Sequence, residues 1–308
     1  MNHIIDIKNL NKSYGNLKAV NDLSFHVNDG ELFAFLGVNG AGKSTTISII
    51  CGTLRKDAGK VIIDGDDIDE DMHKITSKLG VVFQNSVLDG LLSVRDNLYS
   101  RASLYKIYGK EAEARINELA DLLDFKAYLN RAVGKLSGGE RRRIDVARAL
   151  IHKPKIAKPE FLILDEPTTG LDPQTRKLLW EVIEDIRKKE GMTVFLTTHY
   201  MEEATDADYV IILDSGKIVA SGTPLELKNT YTGDYITIYN VEETDVEKLQ
   251  KPFEHIKDGY RIEVKNTEEA RDLIVKYPQI FVDFEITKGK MDDVFLAATG
   301  KKLVGGNL

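Results

Sequence analysis

The sequence is 308 residues long and carries 42 Lys and Arg against 49 Asp and Glu, a net charge of −7 with no block of like charge that would grip nucleic acid. One cysteine, Cys51, excludes an intrachain disulfide framework and suits a reducing cytoplasm. No apolar run approaches the roughly 18 to 20 residues that cross a bilayer, and the opening MNHIIDIKNL lacks the layout of a secretion signal, so any membrane role is expected to come through a partner.

From the amino end, Ile5, Ile7 and Leu10, then Val20, Leu23, Phe25 and Val27, alternate around the turns YGN and NDG and predict short antiparallel strands. ELFAFLG is a buried strand running into a glycine loop, after which Ile47, Ile50, Cys51 and Leu54 recur at helical spacing. GKVIIDGDDI reads as a hairpin and KLGVVFQ as another buried strand. From Ser93 to about Lys135 the pattern is helical and more polar, with apolar positions at Ala114, Leu119, Leu122 and Leu123, and predicts a helical insertion outside the sheet. Lys153-Pro154 recurs as Lys158-Pro159, and two prolines forbid a continuous helix there, so an exposed loop is expected. EFLILDE and MTVFLTTH bring back buried strands on either side of the helix PQTRKLLWEVIEDIRKK, and YVIILDSGKIVASG closes with a hairpin across Asp214, Ser215 and Gly216.

Near-continuous apolar strands alternating with helices predict an α/β core whose mostly parallel sheet is covered on both faces. Beyond about Thr230 the rhythm changes: DYITIYNV, YRIEVKN and QIFVDFEIT are candidate strands, TEEARDLIVKYP and MDDVFLAATG candidate helices. The expected organisation is a main domain over 1–230, its helical part at about 85–150, and a small α+β domain over 231–308.

GVNGAGKS fits G-x-x-x-x-G-K-[ST] at every fixed position, between a predicted strand and a predicted helix. Such a loop lets the backbone of Gly37, Val38, Asn39, Gly40, Ala41 and Gly42 wrap the phosphates of a nucleotide. Lys43 reaches the outer phosphates, Ser44 can hold Mg²⁺, and Thr45 lies in the first turn of a helix whose N-terminus favours anions. FLILDE then places Asp165 and Glu166 at the carboxyl end of a buried strand, where ligands of open parallel sheets bind. Asp165 suits the Mg²⁺ shell, and Glu166 suits a general base that orients an attacking water. An Asp-Glu pair alone is an ordinary solvated strand end; the phosphate loop is what gives it chemistry.

LSGGERRRIDVARAL opens a second glycine-rich helix. Ser137 and Glu140 form S-x-x-E, a capping box. The box leaves Gly138 and Gly139 unexplained, since each costs up to about 1 kcal/mol in a helix relative to alanine. It also leaves Arg141, Arg142 and Arg143 at the end of a helix that disfavours positive charge. A bare, amide-rich start flanked by arginines suits an anion, and the phosphate loop already serves one triphosphate. The reading is that this surface meets the nucleotide of another subunit.

LSGGE followed by RRRIDVARAL resembles the signature of ATP-binding cassette (ABC) transporter ATPases, and the other motifs of that family follow in order over residues 1 to about 230. The resemblance implies a P-loop ATPase core with an antiparallel β subdomain and a helical subdomain. It also implies a head-to-tail homodimer in which each ATP lies between one phosphate loop and the other subunit's Ser137, Gly138, Gly139 and Glu140. By matching position, Tyr14 in KSYG would stack on adenine, and Gln84 in VVFQN would link Mg²⁺ or water to the transport partner. Asp172 in TTGLDP would lie at the dimer interface, and His199 in LTTHYMEEA would contact the γ-phosphate, beside Lys43 and Glu166 as catalytic residues. Two departures stand out: Glu140 replaces the usual Gln, and the repeated Lys-Pro lengthens the approach to EFLILDE by about five residues.

GLDPQTR, THYMEEA and KMDDVFLAATG resemble the drug-resistance and multidrug or sodium export branch, whose ATPases pair with a separate permease at the inner face of the membrane. Two other classes carry such motifs, a soluble cassette ATPase of DNA repair or the ribosome and a regulatory subunit without turnover. The acidic balance and the lack of a second cassette or long coiled coil weigh against the first; intact Lys43, Asp165, Glu166 and His199 weigh against the second.

Overall fold

A computed structural model describes residues 3–152 and 161–300, so the repeated Lys-Pro stretch lies outside the described residues. The chain divides into two compact units, Met1–Tyr200 with Ala207–Ile218, and Met201–Asp206 with Val219–Leu308.

In the first unit, His3–Tyr14 (β1) and Leu17–Asn28 (β2) form one long hairpin, longer than the short strands predicted, because repeated register shifts absorb the breaks in alternation. Leu32–Leu36 (β3) is wholly buried and leads through the glycine loop into Lys43–Ile50 (α1). Ala58–Ile63 (β4) and Asp66–Asp67 (β5) return to β1, completing an antiparallel sheet ordered β2-β1-β4-β5. Met72–Lys78 (α2) precedes Leu79–Val82 (β6).

The helical insertion follows as Val94–Leu104 (α3) and Gly109–Leu122 (α4), then Gly138–Leu150 (α5). On α4 the buried stripe is Ala112, Ile116, Leu119 and Ala120. Ala114 is exposed and Leu122 is 38% exposed, contrary to the apolar set read from the sequence, because 100° per residue carries both off that stripe. Phe161–Asp165 (β7), Pro173–Glu190 (α6), Thr193–Thr198 (β8), Tyr209–Asp214 (β9) and Lys217–Gly222 (β10) complete a second sheet ordered β10-β9-β3-β8-β7-β6. Its pairs β9-β3, β3-β8, β8-β7 and β7-β6 are parallel. Every residue of β3, β7 and β8 is buried, as expected for strands covered on both faces. This is the α/β core with antiparallel and helical parts that the sequence predicts.

Aromatic rings lock the two sheets together. Phe195 of β8 lies 5.0 Å from Phe33, 5.5 Å from Phe35 and 6.2 Å from Phe25 of the antiparallel sheet, ring centre to ring centre.

In the second unit, a turn at Met201–Ala204 and the helix Pro224–Tyr231 (α7) accompany a four-stranded antiparallel sheet. Its parts in chain order are Asp234–Tyr239 (β11), Glu243–Val246 (α8), Phe253–Ile256 (β12), Gly259–Val264 (β13), Thr267–Lys276 (α9), Phe284–Lys288 (β14) and Met291–Thr299 (α10). The sheet order is β12-β13-β11-β14, with α9 packed on β11 and β13. QIFVDFEIT is a strand only from Phe284. Ile280 and Phe281 come from the preceding turn and join the apolar core, so their hydrophobicity reflects burial rather than strand pairing. β12 and α7 were not foreseen, although Thr223, Pro224 and Glu226 spell a capping box with proline in the first turn of α7.

Phe195→Ala is expected to destabilise the first unit by about 3–5 kcal/mol. The fluorescence of Trp180 on α6, the single tryptophan, reports that unit as an earlier urea midpoint.

Candidate functional site

The glycine loop is held open by close backbone contacts. Gly42 caps α1 at φ 106°, and a Cβ there would meet the Ala19 carbonyl oxygen at 2.4 Å, so only glycine fits. No side chain caps α1, which leaves its first N–H groups free to meet an anion. Loop residues Asn39–Thr45, with Tyr14, Leu17, Ala19, Gln84 and Glu166, line an open cleft of about 470 Å³. Tyr14 stands at the cleft 51% exposed, with the Lys12 ammonium over its ring at 5.9 Å from the ring centre.

At the floor of this site Glu166 is only 5% exposed, and several segments converge on it. Lys43 Nζ lies 3.4 Å from Oε1 and donates to the Gly37 carbonyl at 2.6 Å. Gln84 Nε2 donates to Oε2 at 3.0 Å, and His199 Nδ1 lies 3.1 Å from the same oxygen. The Glu166 backbone sits at φ +46°, a left-handed conformation that a long side chain seldom adopts. Its N–H is fixed by the carbonyl of Thr197 at 3.0 Å, and the Thr197 hydroxyl donates to Asp165 Oδ1 at 2.5 Å.

These contacts pull the neighbouring carboxyls apart. Burial raises the Asp165 carboxyl above its ordinary range, against the hydrogen bond from Thr197. Burial also pushes Glu166 upward, but Lys43 and His199 outweigh it and hold Glu166 below the usual carboxylate range. Burial lowers the Lys43 ammonium, opposed by Glu166. Glu166 is therefore ionised at neutral pH.

At the second glycine-rich start, Ser137 and Glu140 form the capping box in full: the Glu140 amide donates to Ser137 Oγ at 3.2 Å and the Ser137 amide donates to Glu140 Oε2 at 2.8 Å. The negative charge that departs from the family pattern is thus folded back on the cap. The two glycines separate. A Cβ on Gly139 would meet Thr175 Cγ2 at 2.9 Å, so the Thr175 side chain on α6 would have to shift to admit one; a Cβ on Gly138 would meet nothing within 4 Å. Asp172 caps α6, accepting from the Thr175 amide at 3.0 Å.

The three arginines do not share one role, which corrects the expectation that all flank an anion. Arg143 turns to Asp124, with Nη1 3.2 Å from Oδ2. Arg142 points inward, 7% exposed, and its guanidinium donates to the carbonyls of Pro167 at 2.6 Å, Glu166 at 3.0 Å and Asp165 at 3.2 Å, and to that of Phe83. It ties α5 to the carboxylate strand and to the segment entering Gln84. Sequence reasoning missed this residue because three consecutive arginines look alike until the helix phase is known.

One chain therefore gathers Tyr14, the glycine loop, Lys43, Ser44, Thr45, Gln84 and Glu166 around the cleft, with Asp165 and His199 joined through Glu166 and Thr197. Ser137, Gly138, Gly139 and Glu140 do not line it. Among the described residues no group of three or more His, Cys, Asp or Glu could hold a metal. A hydroxyl, an amide oxygen and one carboxylate (Ser44, Gln84, Asp165) still fit Mg²⁺, which keeps waters and shares its shell with substrate phosphates.

A family model described as ABC transporter matches residues 20–169. The Nod factor export ATP-binding protein I of Rhizobium etli is 33% identical, covering 97% of this chain and 94% of its own. The daunorubicin resistance ATP-binding protein DrrA2 of Streptomyces coeruleorubidus is 32% identical, over 95% and 94%. Among solved structures, cbiO1 from Clostridium perfringens superposes with a TM-score of 0.66 at 27% identity, covering 74% of this chain and 91% of that one. An ATP-binding cassette solved as a post-hydrolysis dimer with ADP and Pi gives 0.65 at 26%, over 71% and 98%.

Arg142→Ala removes the donor from five carbonyls, those of Phe83, Gln84, Asp165, Glu166 and Pro167. It is expected to cost about 3 kcal/mol or more, since each hydrogen bond to a charged group contributes roughly 1.5–3 kcal/mol. Arg142→Lys should recover only part, lacking the planar fork. Urea unfolding of both variants checks this.

Proposed function

From the premise that this chain belongs to the ABC transporter family of ATP-hydrolysing subunits, we propose that two copies close head to tail around two ATP molecules and drive a separate membrane permease. The first compact unit acts as the core of the nucleotide-binding domain, expected over 1–230, and residues 231–308 as an accessory domain, to whose compact unit Met201–Asp206 and the chain from Val219 also belong. In this reading Tyr14 stacks on adenine, and the backbone from Gly37 to Thr45 together with Lys43 holds the phosphates. Ser44, Gln84 and Asp165 hold Mg²⁺, which when bound neutralises phosphate charge. His199 contacts the γ-phosphate.

Glu166 takes the proton of the attacking water while the water oxygen bonds to the γ-phosphorus and the bond to the leaving ADP oxygen breaks. Phosphate oxygens compete with Glu166 for the Lys43 ammonium. Once Lys43 turns to the nucleotide, the carboxylate loses its main opposing charge and becomes a stronger base. Binding of ATP thus arms its own hydrolysis.

The observation that carries the paired arrangement is the contrast of the two glycines. Gly139 faces the Thr175 side chain within this chain's own packing, whereas Gly138 opens onto space at a fully capped helix start outside the cleft. A surface kept bare at a cost in helix stability, with no internal reason, suits a twin's nucleotide. The relatives' names support an exporter: both describe ATP-binding proteins of export or resistance. Among the described residues no helix is long and apolar enough to cross a membrane, consistent with a peripheral position under a permease at the cytoplasmic face.

Two outcomes test the reading. Gly138→Leu should leave the unfolding midpoint at or above that of the parent, since replacing a helical glycine gains up to about 1 kcal/mol, while ATP-driven dimerisation by light scattering and turnover both fall. Unchanged turnover would remove the paired site. Glu166→Gln should retain ATP binding by calorimetry and lose phosphate release by about a hundredfold or more, the size of a general-base contribution.

A further inference from the structure

The strand β8 ends at Thr198, and His199 follows it with its ring 4.1 Å from that of Tyr200, which the Arg176 guanidinium covers at 5.0 Å. The next residue, Met201, begins a turn that belongs to the second compact unit although the chain then returns to the first at Ala207 for β9. Within the second unit this turn packs against Met291–Thr299 (α10), the last described helix. α10 packs against Met201–Ala204 and against α7. Met201 and Ala204 are buried.

On α10 the buried residues are Met291, Val294 and Phe295, at the i, i+3, i+4 spacing of one stripe. None of the three belongs to the apolar cluster of the tail sheet, which consists of residues such as Ile236, Ile238, Ile262 and Phe281. The helix is well made for a fixed position: the Lys290 amide donates to Asp293 at its start and Gly300 ends it in the left-handed conformation. Its apolar stripe serves the turn and α7 rather than the tail's own core.

We propose that α10 is a positioning element for hydrolysis: by clamping the turn Met201–Ala204 it fixes the chain leaving His199, and so the placement of that imidazole relative to Glu166, with Phe295 as the central positioning residue. The inference rests on the proposed role of His199 at the γ-phosphate. His199 Nδ1 lies 3.1 Å from Glu166 Oε2, a distance short enough that a small displacement of the following turn changes it materially. The accessory domain thereby gains an influence on turnover through the continuous chain that joins His199 to Met201.

The test uses the full chain with Phe295→Ala, Phe295→Leu and His199→Ala. Phe295→Ala should lower kcat by about tenfold or more, as expected when a reacting geometry loosens by a fraction of an ångström, with the ATP KM within about twofold because the cleft is untouched. Amide exchange should rise across 199–206 and stay unchanged in α1 and β3; Phe295→Leu should restore both readings. If exchange also rises across β11 and β13, the milder Val294→Ala supplies the same comparison. Unchanged exchange at 199–206, or raised exchange with unchanged kcat, overturns the proposal. His199→Ala separates the two levels: if it turns over normally the role of His199 fails, whereas if it is inactive while the α10 variants are unaffected, only the positioning role fails.

Discussion

Glu166 keeps an ionised carboxylate almost out of water, and the rest of the site is arranged to make that tolerable. Burying a charge is strongly unfavourable unless opposite charge and hydrogen bonds accompany it. Here Lys43 comes from the glycine loop, Gln84 from the segment after β6, and His199 from the end of β8, each within 3.4 Å of one carboxylate. The cost draws three separated stretches of sequence to one point and holds a glutamate backbone at φ +46°. It also makes the site responsive. A triphosphate offers Lys43 a denser negative charge than one carboxylate, so occupancy must redistribute the partners of Glu166.

Arg142 extends this constraint to the signature helix. Its guanidinium spans the carbonyls of Phe83, Asp165, Glu166 and Pro167, so α5 cannot shift without disturbing the backbone of the residues that carry the chemistry. The outer end of the same helix presents Gly138. One helix therefore connects the edge proposed to meet a twin's nucleotide with the carboxylates proposed to act in hydrolysis. A coupling of this kind is physical: it runs through a helix and the hydrogen bonds of one guanidinium rather than through proximity alone.

What the sequence made legible follows from which constraints are local. The glycine loop is spelled by spacing alone, because close backbone approach admits only glycine at Gly42 whatever the surroundings. Strands β3, β7 and β8 announce themselves as short unbroken apolar runs because both faces are covered. Non-local reasons are silent in the chain. Gly139 faces the Thr175 side chain, thirty-six residues further along the sequence. Arg142 differs from Arg141 and Arg143 only by helix phase, and Phe281 belongs to a core rather than a strand because the tail sheet needs a lid. The α4 stripe was misread by the same route, since Leu122 is apolar yet lies 38% exposed.

Energetics decide whether a pair of such chains can act as a switch. Moving a two-state equilibrium from mostly open to mostly closed takes about 5.5 kcal/mol of differential binding, and a charge-assisted hydrogen bond supplies roughly 1.5 to 3 kcal/mol. A few contacts between each capped start at Ser137 and the partner-held γ-phosphate are sufficient, provided they exist only in the closed state. The geometry suits that proviso: the signature residues do not line the cleft of their own chain, and Glu140 is folded back on its own cap. In the proposed pair, hydrolysis would remove the very groups that hold the two copies shut. Because closure in the proposed pair would depend on contacts that the reaction itself destroys, such a cycle would need no separate release signal, and its direction would be set by the chemistry proposed for Glu166.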